Sequence, residues 1–550
     1  MTENREAVPA KMNSIKGDPL SGLRRTFAFL FLFLAIAAIV TWPAVSPAAH
    51  PLVQRAQATR RISREDEEFL EDLQQRSFRY FWNEADPQTG LVPDRARMDG
   101  SPLDENHHNV ASIAATGFGL TALCVAAERG WVDRTKARER ARNTLRYFST
   151  RAVSEHGWFY HWLDAKTGER RWKSEISSID TALLLAGVLT TRQYYRTDPE
   201  IFRLATKIYE RVDFRWMLNG DPLLLSHGWK PETGFLKPRW DTYSEDTILY
   251  LLAIGSPTYP ISPASWYALW RDRYRYEGHG YFTTIGVPLF MHQYAHAWID
   301  FRNRREARGD RIDYFENSIK ATLAHRAFCI NLAHEFPGFG PDMWGITASD
   351  SAKGYLAWGG PPRDRDIDGT VVPSAAGGSL MFTPDVSLQT LRAMRAKFGG
   401  KVYGRYGFTD AFNPNNGWTD TDVIGINVGI ILLSAENLRT GNVWRWFMRN
   451  AEVPRAMDLI GLRLYGRGQS YLSERRKMRK PQLSRVSAGK PAVRRRAARS
   501  VAGASGASGA ATCGVISTNE DPFPDSTMPA NGRLEKLIAI KISSSFERRW

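Results

Sequence analysis

Three cysteines in 550 residues, at positions 124, 329 and 513, are too few and too scattered for a disulfide framework or a thiolate metal site. Cys124 and Cys329 lie in apolar, helical contexts and read as buried thiols; a bridge between them would require closely spaced Cα atoms. The chain also lacks a phosphate-binding P-loop, a dinucleotide fingerprint and a GxSxG nucleophile elbow, which argues against nucleotide-driven and serine-hydrolase chemistry. His292 and His296 are spaced i,i+4, but Gln293 stands where a HExxH zinc protease has glutamate, so they read as hydrogen-bonders in a cleft or as core histidines. Asp364, Asp366, Asp368 and Gly369 imitate the start of an EF-hand loop, yet position twelve is Ala375 rather than a bidentate glutamate. No metal and no cofactor is expected.

Positive charge is plentiful but unevenly placed. Most of the formal +16 lies in the first 60 residues and after residue 463, and the middle is near neutral, which argues against a nucleic-acid partner. Residues 1–58 hold Lys16, Arg24 and Arg25, then the apolar run from Phe27 to Val40, then small-residue sites at Ser46-Pro47-Ala48 and Ala56-Gln57-Ala58. This is the pattern of a bacterial export signal, with periplasmic or secreted localisation, and Arg24-Arg25-Thr26-Phe27 matches a twin-arginine signal in part. An uncleaved segment over residues 24–42 would instead anchor the protein in the inner membrane. Residues 464–550, rich in Arg, Lys, Ala, Gly and Ser, predict a disordered basic tail.

Between these ends, residues 59–463 show helical periodicity separated by Gly- and Pro-rich loops, without clear strand alternation. Predicted helices run Arg64 to Glu84, Ala111 to Arg129, Arg134 to Thr150, Ile179 to Tyr195, Pro199 to Arg211, Ser244 to Ile254, Pro263 to Tyr274, Val287 to His296, Asp313 to Glu335, Pro384 to Phe398, Val423 to Gly441 and Trp444 to Asn450. About a dozen helices suits an all-α (α/α)6 toroid of six helical hairpins.

The chain has 18 tryptophans, many of them next to loop carboxylates or glycines. In the stretch from His156 to Leu189, Trp158, Tyr160, Trp162 and Trp172 surround Asp164, Glu175 and Asp180. Aromatic faces that stack on pyranose rings, set beside proton-transfer groups, are what glycosidic cleavage requires. A second cluster places Asp241, Glu245 and Asp246 around Trp240 and Tyr243; a third places Asp410, Asp420 and Asp422 around Asn413 and Trp418. In each, helix capping by Ser244, Thr421 or Asp422 is the plainer alternative.

Taken together, SEISSIDTALLLAG (174–187), YSEDTILYLLAIGSPTYPI (243–261), PLFMHQYAHAWIDFR (288–302), MWGITASDSAKGY (343–355) and YGFTDAFNPNNGW followed by DVIGINVGIILLSAENLRTGNVW resemble the glycoamylase-like domain of glycoside hydrolase family 144 endo-β-1,2-glucanases and of the C-terminal region of cyclic β-1,2-glucan synthases. The resemblance implies an (α/α)6 toroid, bacterial export, and hydrolysis or transfer of a glucan without a cofactor. By position it implies Glu175, Asp180, Glu245, Asp350, Asp420 and Asp422 as site carboxylates. Glu245, or else Glu175, is expected to be the general acid, Asp422 the base, with Asp180 and Asp350 positioning water or sugar hydroxyls. Trp158, Tyr160, Trp172, Tyr243, His296, Trp344, Trp418 and Asp420 are the expected substrate contacts. Linkage preference for β-1,2 rests wholly on the resemblance, and endo or exo action and inversion or retention stay open. A glucan transglycosylase and a non-catalytic glycan-binding protein are the alternatives.

Overall fold

The computed structural model describes residues 62–284 and 288–465; the expected export signal, the basic tail beyond residue 465 and Cys513 lie outside the described residues. The described body is predominantly helical. Its α-helices are α1 (Arg64–Glu84), α2 (Ile113–Arg129), α3 (Arg134–Thr150), α4 (Ser178–Tyr194), α5 (Pro199–Glu210), α6 (Thr247–Gly255), α7 (Ser265–Ala268), α8 (Tyr294–Trp298), α9 (Tyr314–Asn331), α10 (Pro373–Gly377), α11 (Pro384–Phe398), α12 (Gly425–Arg439), α13 (Asn442–Phe447) and α14 (Glu452–Leu459). None of the helices among the described residues is long and apolar enough to cross a membrane.

Two kinds of helix alternate along the first half of the chain. α1, α3 and α5 carry one apolar stripe and a charged face, whereas α2, α4 and α6 are buried on nearly every side. A helix that is apolar all round belongs in the interior, with the amphipathic ones around it. α2 and α4 cross back to back through Gly117 and Gly187: a Cβ on Gly187 would lie 2.1 Å from the Gly117 carbonyl oxygen, and one on Gly117 would lie 2.2 Å from that of Leu183. Only glycine permits so close an approach.

The first and later helices are tied by buried ion pairs. Glu436 on α12, fully buried, accepts from the Arg129 guanidinium at 2.8 Å and from Gln74 on α1 at 3.2 Å. Arg439 bonds Glu71 at 2.8 Å. Removing one member of such a network strands a buried charge.

The helix reading from sequence holds closely for α1, α3 and α11 and fails at Pro263 to Tyr274, where only Ser265–Ala268 is helical and Asp272–Tyr276 is a strand paired antiparallel with His279–Thr283. The region read as Val287 to His296 splits into a 3-10 turn, Leu289–His292, and α8. Short two- and three-stranded sheets, which periodicity did not reveal, link the helices. Two of them build the site. Arg95–Arg97 pairs antiparallel with Asp422–Ile424, setting Arg97 opposite Asp422, and Ile176–Ser177 pairs with Gly228–Lys230. Cys124 and Cys329 are both buried free thiols, so the bridge left open by the sequence is not formed.

Candidate active site

The carboxylates sit beside the N-terminal ends of buried helices. Asp180 is in the first turn of α4, whose first amides are capped by Ser177 Oγ; Glu245 and Asp246 immediately precede α6; the strand bearing Asp422 runs into α12. The capping alternative fails for Asp422 and Thr421, because the residue preceding α12 is Ile424 and no side chain caps it. It fails at α6 too, where no side chain caps the helix and Ser244 Oγ and Asp246 Oδ1 instead accept from each other's backbone amides at 3.4 and 3.0 Å ahead of its first turn.

One half of the site centres on His161. Its Nδ1 lies 3.1 Å from Glu175 Oε1 and its Nε2 3.4 Å from Asp180 Oδ2, and the Trp162 indole stacks on the ring at 3.5 Å. Burial by itself would lower the imidazole, but the charges of Asp180 and Glu175 and the Glu175 hydrogen bond raise it to about 9. Burial likewise works to raise Glu175, and the His161 bond and charge overcome it, holding this carboxyl at about 2. Asp180 stays raised because burial outweighs His161 and Ser177.

Glu245 stands in a different setting. It is 8% exposed, its Oε2 has no hydrogen-bond partner, and burial, reinforced by the field of Asp180, lifts its carboxyl to about 7. Asp246, fully buried beside it, is pushed well up by burial and by Glu245.

The other half gathers around Arg95. This buried guanidinium lies 2.9 Å from Asp350, 3.5 Å from Asp422 and 3.5 Å from Asp94, while Arg97 reaches Asp422 at 3.2 Å. Asp410 Oδ2 accepts from the Asp350 amide at 2.9 Å, and Asp420 Oδ1 from the Asp422 amide at 3.1 Å. Five carboxylates share two cations, so some must stay protonated: burial and then Asp350 raise Asp410 to about 7, and burial, Asp350 and Asp410 raise Asp420 to about 9. Asp350, Asp410 and Asp420 each bring an oxygen within 4.8 Å of the others, a spacing that suits a divalent cation, but Arg95 already supplies positive charge there.

Tyr294 joins the halves. Its hydroxyl donates to Asn427 Oδ1 at 3.2 Å, and Asn427 Nδ2 donates to Asp410 Oδ1 at 2.7 Å. Burial and the fields of Tyr355, Glu245, Asp410 and Asp180 push the phenol up, so carboxylates from both halves act on one group.

Of the expected residues, Glu175, Asp180, Glu245, Asp350, Asp420 and Asp422 are thus brought together, with Trp172 and Trp418 half-buried. Trp172 has φ +52, and its Nε1 donates to Asn106 at 3.1 Å. Several expected sugar contacts have no open face. Trp158 is fully buried and donates to the Asp213 carbonyl at 2.8 Å; Trp344 is fully buried against His325. His296 is buried against Ser318 and aromatic rings, and Tyr243 against His292 and Tyr314, so these two are interior packing rather than cleft. Tyr160 is buried beneath the Arg170 guanidinium. In the EF-hand-like loop, Asp364 and Asp368 turn to backbone amides two residues on.

Sequence reasoning passed over His161, Arg95, Asp94, Tyr294 and Asn427, and named Asp410 without selecting it. His161 was the one with a local signal, since it lies inside the aromatic stretch before Glu175.

The glycoamylase family model matches residues 237–451. An endo-β-1,2-glucanase of Chitinophaga pinensis, solved with sophorotriose and glucose, is 30% identical with a TM-score of 0.68, covering 73% of this chain and 99% of its own. The chain belongs to the glycoamylase-like family, of the glycoside hydrolase family 144 type. Another relative, the exo β-1,2-glucooligosaccharide sophorohydrolase (non-reducing end) of Parabacteroides distasonis, is 29% identical over 432 residues, which is 72% of this chain and 58% of that protein. A β-1,2-glucanase structure from the same organism is 27% identical with a TM-score of 0.65, covering 73% of this chain and 60% of that one.

Proposed function

We propose that this protein hydrolyses β-1,2-linked glucan on an (α/α)6 toroid, after export directed by the signal within residues 1–58. The observation that carries the reading is the contrast between Glu245, a buried carboxyl with one unpartnered oxygen and a proton affinity near neutrality, and Asp422, a carboxyl ion-paired to both Arg95 and Arg97. Glycosidic cleavage needs one carboxyl that still has its proton and one that has lost it. Glu245 is the general acid. Asp422, held between Arg95 and Arg97, is the base, and Asp180, Asp350 and Asp420 position water and sugar hydroxyls. Glu175, whose carboxyl is held at about 2, has no proton to give at neutral pH and is withdrawn as an acid candidate. The β-1,2 preference is supported by the relatives, whose names and bound ligands are β-1,2-glucans or their fragments.

The test is incubation of the purified protein with linear β-1,2-, β-1,3- and β-1,4-glucans, reading product size by chromatography. Short sophoro-oligosaccharides from the β-1,2 polymer alone are expected. Larger or cyclic products would make the protein a transglycosylase, and tight binding without any product would make it a glycan-binding protein.

A further inference from the structure

The imidazole of His161 has a carboxylate at each ring nitrogen: Glu175 Oε1 at 3.1 Å from Nδ1 and Asp180 Oδ2 at 3.4 Å from Nε2. Glu175 takes the Nδ1 hydrogen bond and Asp180 faces Nε2 as an ion partner, an arrangement of two acids about one ring that the imidazolium satisfies and the neutral imidazole does not. The ring is also fixed in plane and tilt. Trp162 stacks on it at 3.5 Å with an interplanar angle of 12°, and the preceding residues Trp172 and Lys173 hold left-handed backbone angles, φ +52 and +48, on the turn that delivers Glu175. Two consecutive non-glycine residues in that region persist only where their surroundings enforce it. Backbone pairing locks the geometry further, because the His161 amide donates to the Glu175 carbonyl at 2.9 Å.

We propose that His161 is a positioning residue of the site, a fixed imidazolium that bridges Glu175 and Asp180, keeps Glu175 ionised, and so leaves proton donation to Glu245. The proposal rests on the hydrolase reading above for its last clause only. The charged groups facing the imidazole are Glu175 on its connecting loop, Asp180 on α4 and Asp94 beside the Arg95 strand, with Lys230 of the neighbouring strand acting on Glu175. One cation among three acids explains how Glu175 stays ionised despite its burial. It also sets Asp180, which adds to the field that keeps the proton on Glu245, under the control of a residue that does not itself meet the glycosidic bond.

Two measurements on the full chain test this. The first needs no substrate: ring-carbon labelling of histidine and an NMR pH titration, with His161 assigned by its disappearance in His161→Gln. The His161 resonance is expected to remain that of an imidazolium beyond pH 8, and to titrate at least about one unit lower in Glu175→Gln, where one of its anions is gone. A His161 that titrates at or below pH 6.5, or that is indifferent to Glu175→Gln, would overturn the clamp. The second is the pH profile of glucan hydrolysis. In His161→Gln the acidic limb should move up by roughly one pH unit or more, because the carboxylates then take protons more readily, and kcat should fall more than KM rises. An acidic limb that stays in place with kcat lowered would reduce His161 to a packing residue. If the wild-type protein cleaves no glucan, the hydrolase reading falls while the titration still decides the clamp.

Discussion

Replacing Glu245 by glutamine should make the protein more stable and inactive at once. In the folded chain this carboxyl titrates at about 7, against an ordinary value of 4.5, because it is buried with an oxygen that nothing bonds. Between those two values the unfolded chain has lost the proton and the folded chain keeps it. The native state therefore binds more protons, and stability falls as pH rises through that window. A difference of about 2.5 units at roughly 1.4 kcal/mol each amounts to about 3–4 kcal/mol, fully felt above pH 7 and absent below 4.5. Glutamine has no proton to lose. The stability advantage of Glu245→Gln over the wild type should accordingly grow by about 3–4 kcal/mol between pH 4 and pH 8, read from urea unfolding followed by tryptophan fluorescence. The same substitution removes the proposed general acid, which should lower kcat by about 10²- to 10⁴-fold, and the wild-type rate should decline above pH 7 as the carboxyl ionises. A stability gap that does not change with pH would refute the burial argument, and turnover within tenfold of wild type would remove Glu245 as the acid.

Two further changes probe the scaffold. Gly187→Ala puts a methyl 2.1 Å from the Gly117 oxygen, so α2 and α4 must separate; overpacking of about 1–3 kcal/mol, only partly offset by alanine's better helix propensity, should lower the urea midpoint. Arg95→Met strands Asp350, Asp422 and Asp94 without their buried cation, at about 3–5 kcal/mol near pH 7 and clearly less at pH 4, where carboxylates take up protons; equal losses at both pH values would contradict the charge explanation.

Much of the fold was legible because its signals are local. α1, α3 and α11 begin and end where capping residues, apolar spacing and proline say they should. The segment after Pro263 misled because Trp266, Tyr267, Tyr274 and Tyr276 satisfy helical spacing loosely, while the alternation of Asp272–Tyr276 was the better guide. At the site, carboxylates beside apolar helices were findable, since chemistry and helix start coincide in the sequence. Their partners were not. Arg95 meets Asp350 from 255 positions away, and nothing near Arg95 distinguishes it from a surface arginine. Tryptophans misled for a different reason: an indole next to glycine reads the same whether, like Trp158, it seals the interior or, like Trp418, it stays half open.

The carboxylates Asp180, Glu245 and Asp422 lie within three residues of helices that are buried along their length, whereas Trp172 and Trp418 ride on connecting segments. On the proposed function, proton chemistry is thus bolted to the frame and the polymer's grip to its upholstery. Lengthening or trimming those connections would redraw which stretch of a chain is held, its ends or its middle, without retuning a single acid, so that preference for polymer interior or terminus can drift among descendants of one unchanged reaction centre.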